Sequence, residues 1–413
     1  MGLAITRDMR PESVGAEARA ARLSRGLSGT NLERAGDYNL RTVLQAIRLN
    51  RDTTRVEIAQ QTGLTAPTIA NITGRLIDMG LVRTAGRRQG GRGQPALRLQ
   101  VAPDGAFGIG LNIDRDHLTL VTLDLTGEVR SRITREIAFA RPDEVVAFVQ
   151  AELDGAIAAG DIDRDRVLGV GVAMPDDLGR IRMPHQPDGY EAWNETDIVA
   201  LLGPVLPWSI HRDNDAAAAA LGETQYGPAF DHPSFFYLLI SAGLGGGPVI
   251  DRTYHRGAHA RSGEIGLMPD PGGAHPGAIV QDTVSLVALC ARLAAAGCPA
   301  ETIAALPTGC EEEEAVIAAW IADAVRALVQ PCVAITCLFD PDAILIGGRL
   351  PGPLIARLAE QLTAALDGVS LPTRARIMPA AMAQDAPAIG AAILPFLDHL
   401  LPSDAILIQA GRN

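Results

Sequence analysis

Leu40, Val43, Leu44 and Ile47 recur at i, i+3, i+4 and i+7, the spacing that lines one face of an α-helix. A second helix is predicted to open at Thr54. Glu57 follows three residues later, and the two side chains can satisfy each other's orphan backbone N–H groups. Gly63 suits a tight turn, and Thr65 can cap a third helix whose first turn tolerates Pro67. In that helix Ile69, Ile72, Leu76 and Ile77 form an inward stripe, while Thr68, Asn71 and Arg75 stack on the other side. Leu81–Thr84 and Ala96–Leu99 then alternate apolar and polar residues, as paired short strands do. The segment between them, Ala85–Pro95, reads as a wing on a helix-turn-helix.

Beyond Pro103 short apolar strands alternate with helical stretches, an α/β pattern. Ala106–Val129 predicts two alternating strands joined by a turn, and Val167–Ile181 a buried strand ending in Gly and Pro. His211–Glu223 is a strand end feeding an Ala-rich helix, and Phe235–Ile250 is a strand entering a run of glycines. Asp340–Gly348 and Ala388–Phe396 supply further apolar segments. Residues 1–36 are rich in Arg, Ala, Glu and Gly with little apolar periodicity. The expected division is a flexible tail over 1–36, a winged helix-turn-helix over 37–102, an α/β body over 103–400 and a C-terminal tail over 401–413.

Charge sharpens this division. Residues 1–100 hold 16 Arg against 8 acids, a net of +8, which leaves 20 Arg against 40 acids, a net of −20, for residues 101–413. A basic head on an acidic body points to nucleic acid as the partner of the head alone. Thr65, Thr68, Asn71 and Arg75 are therefore candidates for the major groove, where Asn and Arg can bond base edges. Arg87, Arg88 and Arg92 are candidates for phosphates or the minor groove. The chain has no lysine, which excludes Schiff-base chemistry and a phosphate-loop lysine. None of the five cysteines falls in a CxC or CxxC pair, so buried free thiols are expected rather than a disulfide or thiolate metal site. No stretch of about 18 consecutive apolar residues is present, and the expectation is a cytoplasmic protein without a membrane partner.

The order and wording of these motifs, from Asn39 to Phe396, resemble the ROK family of repressors, open reading frames and sugar kinases. The resemblance implies a two-lobed actin-like ATPase and hexokinase fold, ribonuclease-H-like in each lobe, behind the winged helix. It leaves two functional readings: an ATP-dependent sugar kinase, and a DNA-binding transcriptional regulator of carbohydrate uptake or catabolism genes. The family's kinases carry Asp-x-Gly-Gly-Thr after the first strand, whereas this chain reads Asn112, Ile113, Asp114, Arg115, Asp116. Both glycines are absent. Each carboxylate facing a polyphosphate at close range costs roughly 4 kcal/mol at an effective dielectric of 20. Ser241–Gly247 keeps a glycine run that is either a phosphate loop or a tight turn between strands.

By the same resemblance, Asn214 and Asp215 match a pair that binds sugar hydroxyls, and Glu264 a ligand-binding glutamate. Gln281 stands where the family has a second one. Asp215 can also be read as a helix N-cap, and Glu264 as a polar group closing a turn. Leu267 replaces the family's histidine, and Pro269–Asp282 replaces its zinc-binding cysteines. The expectation is thus no catalytic residue, metal or cofactor. The regulator reading carries double-stranded operator DNA and a small-molecule sugar effector as partners, and a homodimer or homotetramer as the assembly.

Overall fold

The computed structural model describes residues 32–50, 52–88, 96–176, 178–180, 186–227, 232–298, 306, 310–382 and 385–402. It divides into two compact units, residues 1–105 with 397–413, and residues 106–396.

The first unit is built from three helices, α1 (Leu32–Leu49), α2 (Arg55–Thr62) and α3 (Ala66–Asp78). They pack against a small sheet of β1 (Thr53–Thr54), β3 (Ala96–Val101) and β2 (Val82–Arg88), in that spatial order. The predicted caps are present. Thr54 and Glu57 form a reciprocal capping box, Gly63 takes the left-handed conformation (φ 70°) that ends α2, and Thr65 accepts the Thr68 N–H at the start of α3. Leu40, Val43, Leu44, Ile47, Ile58, Ile69, Ile72 and Leu76 fill the core, and Leu81, just before β2, closes it with Leu99 of β3. Ile77, expected inward with them, is only half-buried.

Helix α1 begins at Leu32, inside the segment whose sequence shows no apolar period. Residues 35–39 are partly or fully exposed, so that turn has no core-facing stripe to betray it, and Asp37 holds Arg41 at 3.1 Å instead. Arg41 also donates to the Asp398 carbonyl at 2.7 Å, tying the residues after Phe396 into this unit. Strand β2 runs further than its apolar alternation suggests, through Arg88, with a bulge between Thr84 and Arg87 at Gly86 (φ 85°).

The second unit contains two sheets of the same topology. One has the order β6-β5-β4-β7-β8. Its strands are β4 (Phe107–Ile113), β5 (His117–Asp124), β6 (Val129–Glu136), β7 (Val167–Met174) and β8 (Ile210–Asn214). The other has the order β11-β10-β9-β12-β13. Here the strands are β9 (Phe235–Ile240), β10 (Leu244–Ile250), β11 (Thr253–Tyr254), β12 (Ala343–Gly348) and β13 (Arg376–Pro379). Each sheet is an antiparallel meander followed by two parallel strands. The duplicated arrangement is the two-lobed, ribonuclease-H-like fold that the sequence leads one to expect.

Helices α4 (Pro142–Ala159) and α5 (Ile198–Leu202) cover the first sheet. Helices α8 (Leu286–Ala295), α9 (Glu311–Phe339) and α10 (Gly352–Asp367) cover the second around Trp320, Leu328 and Ile344. Helix α9 is long and apolar enough to cross a membrane. It nonetheless carries four glutamates in its first turn and buries Ile317, Trp320, Ile321, Leu328 and Ile335 in this core. Strands β4 and β5 are buried along their whole length rather than on alternate residues. The far side of β4 is occupied by α11 (Ala386–His399), which approaches so closely that an ideal Cβ on Gly108 or Gly110 would lie 2.0 or 1.9 Å from the carbonyl oxygens of Ala392 and Ala388. Gly171 of β7 faces Ala391 in the same way, at 1.8 Å. Gly390 on α11 meets Ala218 of α6 (Asp215–Tyr226), so the two helices cross through backbone rather than side chains. The cysteines depart from expectation. All are free thiols, but only Cys332 is buried, and Cys310 and Cys337 are exposed because they sit at the start of α9 and on its outer face.

Candidate functional site

Two surfaces carry the residues singled out above. On α3 the alternation of inward isoleucines leaves Asn71 and Arg75 exposed on one side of the helix, with Thr68 half-buried and Thr65 exposed at its N-terminal end. Thr65 and Thr68 also share a hydroxyl–hydroxyl hydrogen bond of 2.8 Å, which fixes the first turn. Arg87 is exposed on β2 and Arg88 ends that strand; Arg92 lies outside the described residues, as does the side chain of Arg88. Arg55 is a positioning residue that periodicity did not reveal. Its Nε donates to the buried Thr73 hydroxyl at 2.9 Å and so pins α2 to α3. An arginine at the first position of one helix facing a threonine two-thirds along the next has no local sequence signal.

The second surface is a cleft of about 650 Å³, open mouth included, in the two-lobed unit. Asn214, Asp215, Glu264 and Gln281, drawn from four separate stretches of sequence, all line it. Asn214 ends β8 and is itself the N-cap of α6: its Oδ1 accepts the Ala216 and Ala217 N–H groups at 2.9 and 3.2 Å, and its Nδ2 donates to Asp176 at 3.2 Å. The capping role that could have explained Asp215 therefore belongs to its neighbour. Asp215 is the first residue of α6, buried at the cleft wall, and accepts the Ala216 N–H at 2.7 Å. Burial, reinforced by the nearby charge of Asp114, pushes its carboxyl up to about 7, while the Ala216 N–H and Arg115 pull the other way.

Glu264 precedes a short 3-10 turn, Ile265–Leu267, makes no side-chain cap there and stands 3.9 Å from Arg261. Gln281 lies on the short helix α7 (Val280–Thr283), its amide oxygen over Gly243 and Gly266. The glycine run resolves as the turn between β9 and β10, closed by the Ser241 N–H donating to the Gly243 carbonyl, and as the first residues of β10. Gly247 there allows α6 to approach, since a Cβ would come within 2.9 Å of the Ala216 carbonyl oxygen. Ser241, Tyr254, Asp176, Arg261 and Arg115 also line the cleft and were not anticipated as site residues. Only Arg115 had a sequence signal, a cation in the turn after the first strand.

Two arginines tie separate segments of this unit together. Arg256 makes a two-pronged bond to the buried Asp213 at 2.5 Å, joining β8 to the loop that carries Glu264. Arg349, after β12, bonds Asp116 at 2.7 Å and also Glu136, joining the two sheets. Asp114, Asp116 and His117 bring possible metal-ligand atoms within 4.8 Å of one another. Asp116 is already committed to His117 Nδ1 at 2.6 Å and to Arg349, which leaves little of the set for a cation. In Pro269–Asp282 the organising group is Asp270, buried and bonded by Arg326, the Thr283 hydroxyl and the Gly272 N–H. These partners hold its carboxyl below the ordinary range. His275 and His259 are exposed.

A winged helix-turn-helix joined in one chain to a two-lobed α/β domain with a polar cleft defines a DNA-binding protein with a body built to hold a small molecule. Residues 37–83 match the winged helix-turn-helix DNA-binding family, and residues 108–396 match the ROK family. The chain belongs to the ROK family. It is 31% identical over 369 residues to the uncharacterized protein y4fQ of Sinorhizobium fredii, covering 87% of this chain and 90% of that one. The xylose repressor of Bacillus subtilis is 22% identical over 231 residues, and the matched part is 56% of this chain and 60% of the repressor. A ROK family transcriptional regulator homologous to the E. coli MLC protein superposes with a TM-score of 0.64 at 24% identity, over 91% of this chain and all of that one.

Proposed function

We propose that the chain is a transcriptional repressor of carbohydrate uptake or catabolism genes, responsive to a sugar or sugar derivative. In this reading residues 37–102 bind double-stranded operator DNA, with Thr65, Thr68, Asn71 and Arg75 in the major groove and Arg87, Arg88 and Arg92 against the backbone or minor groove. Residues 103–400 bind the effector through Asn214, Asp215, Glu264 and Gln281, and the working form is a homodimer or homotetramer in the cytoplasm. The observation that carries the reading is the convergence of those four polar side chains on one cleft, in a chain that begins with a DNA-binding module.

The polar groups suit hydroxyls. The Asp215 carboxyl and the Gln281 amide can each accept or donate, and Glu264 adds an acceptor at the mouth. A ligand gripped from both sides favours one arrangement of the lobes. It can shift operator affinity only by its differential affinity for the two states; a hundredfold shift needs about 2.7 kcal/mol. The test is Asp215→Ala with Glu264→Ala, measured for operator binding with and without members of a sugar panel. The variant is expected to bind DNA as the parent does and to ignore the ligand. An unchanged ligand response would place the effector site elsewhere.

A sugar kinase is the second reading, favoured by the Asp215 carboxyl near 7, a value suited to a general base. Against it, the turn after β4 presents Asp114, Arg115 and Asp116 where phosphate recognition needs close backbone amides, and the Pro269–Asp282 segment offers no thiolates for zinc. A coupled assay with ATP and hexoses, amino sugars and pentoses is expected to stay at background, and metal analysis to find no stoichiometric zinc. Turnover abolished by Asp215→Asn would establish the kinase instead.

A further inference from the structure

The four ligand candidates suit hydroxyls, but they leave one cleft arginine without a partner. Arg115 occupies the turn between β4 and β5 and lines the same cleft as Asn214, Asp215 and Glu264. The other charges around the cleft pair off: Asp176 with Arg212 at 3.5 Å, Glu264 with Arg261 at 3.9 Å, and Asp213 with Arg256 at 2.5 Å. Arg115 does not. Among the described residues its guanidinium makes no ion pair or side-chain hydrogen bond, and its Nε is enclosed without an acceptor.

Two acids lie near it. Asp114 takes the backbone N–H of Arg115 at 2.7 Å and supplies counter-charge from behind the cleft wall, without occupying the guanidinium fork. Asp215, whose carboxyl feels the charge of Arg115, is pushed by burial toward its neutral form and makes no bond to the guanidinium, its one hydrogen bond among the described residues being from the Ala216 N–H. An arginine is always charged and offers five N–H donors in a planar fork that matches carboxylate and phosphate oxygens. The Nε of Arg115 is sealed from solvent and so from any ligand, but the guanidinium charge is left without an acceptor, and a ligand that brings an anionic oxygen to it gains more here than one that brings another hydroxyl.

We propose that Arg115 receives an anionic oxygen group of the effector, so that the ligand is an acidic carbohydrate, a sugar acid or a sugar phosphate, rather than a neutral sugar. The inference rests on the cleft being the effector site. It assigns Arg115 the anionic end and leaves Asp215, Glu264 and Gln281 the hydroxyls.

The experiment is calorimetric titration of the full chain with matched sets: glucose, glucuronate and glucose 6-phosphate, and xylose with xylonate. At least one anionic member is expected to bind tenfold or more tighter than its neutral parent, and the uronate and phosphate arms tell which anion fits. Arg115→Gln should reduce that ratio to near parity, and Arg115→Lys, which keeps the charge but loses the fork, should fall between. Because the readout is a ratio within one variant, a general loss of affinity does not mimic it. Parity in the parent protein, a preference for neutral sugars, failure of every anionic member to bind, or a ratio that survives Arg115→Gln would each overturn the proposal. A neutral sugar that shifts operator binding would remove this inference and leave the repressor reading standing. Silence of both classes in titration and operator assay would remove that reading too.

Discussion

Replacing Gly390 by alanine tests how closely α6 and α11 cross. Alanine in a helix is ordinarily better than glycine by about 1 kcal/mol, because it loses less backbone entropy on folding. At this position the added Cβ would stand 1.6 Å from the Ala218 carbonyl oxygen and 2.2 Å from its carbon. Ordinary contact begins near 3.4 Å, so one helix backbone must retreat by ~1.8 Å, and no side-chain rotation can relieve the overlap. Overpacking a well-filled core costs typically 1–3 kcal/mol, and a clash between two helix backbones belongs at the upper end of that range or beyond. Subtracting the propensity gain leaves a net loss of about 2 kcal/mol or more. Gly155 provides the matched control. It too lies within a helix, α4, but it is exposed and an added Cβ meets nothing within 4 Å. Gly155→Ala should therefore stabilise by up to roughly 1 kcal/mol. Urea titration followed by tryptophan fluorescence reads the relevant unit, because Trp193, Trp208 and Trp320 all belong to residues 106–396. A midpoint for Gly390→Ala at or above the parent's would refute the close crossing.

On the DNA surface, Arg75→Ala should cost about 1–3 kcal/mol on the operator and relax specificity, whereas Arg87→Ala should weaken all sequences alike and lower the salt slope by about one. Equal operator affinity after Arg75→Ala, in a binding assay at fixed salt, would sink the major-groove assignment. For Asp215 the folded carboxyl, near 7, lies above its unfolded value, so the folded state holds the extra proton between roughly pH 4 and 7. Stability from this group is thus greatest at the acid end of that window and is lost as pH rises through it. Asp215→Asn should flatten that slope in denaturation curves taken from pH 4 to 8; an unaltered slope would mean that Asp215 is not the buried acid responsible.

The winged helix was legible nearly residue by residue because its signals are local. The Thr54–Glu57 box, the Thr65 cap and the isoleucine stripe of α3 each act within a few positions. Its outer parts were less so: residues 35–39 of α1 include no buried position, and β2 extends through Ala85–Arg88 on backbone pairing to β3 rather than on apolar alternation. In the body, element order gave only an α/β pattern and the two-lobed topology came from the resemblance to the ROK family, while the complete burial of β4 was in neither. It depends on α11 lying against glycines that, read alone, look like interruptions of a strand. The sequence offered Asp215 as a helix cap, whereas Asn214 holds that place, because both residue types cap well and only backbone geometry separates them. The pairs Asp213–Arg256, Asp270–Arg326 and Asp116–Arg349 join residues 43, 56 and 233 positions apart, distances over which no periodicity operates.

The unit that carries the winged helix includes residues from the far end of the chain, with Leu400 and Leu401 buried and the Asp398 carbonyl bonded by Arg41. This has a bearing on the order of synthesis. The first 105 residues leave the ribosome long before their last packing partners exist, and the whole of residues 106–396 must be translated in between. At typical elongation rates that interval is roughly 15 to 60 seconds. Throughout it the DNA-reading helices are present without the segment that later closes over α1. A premature stop codon anywhere in the body would release a winged helix that never receives its closing piece.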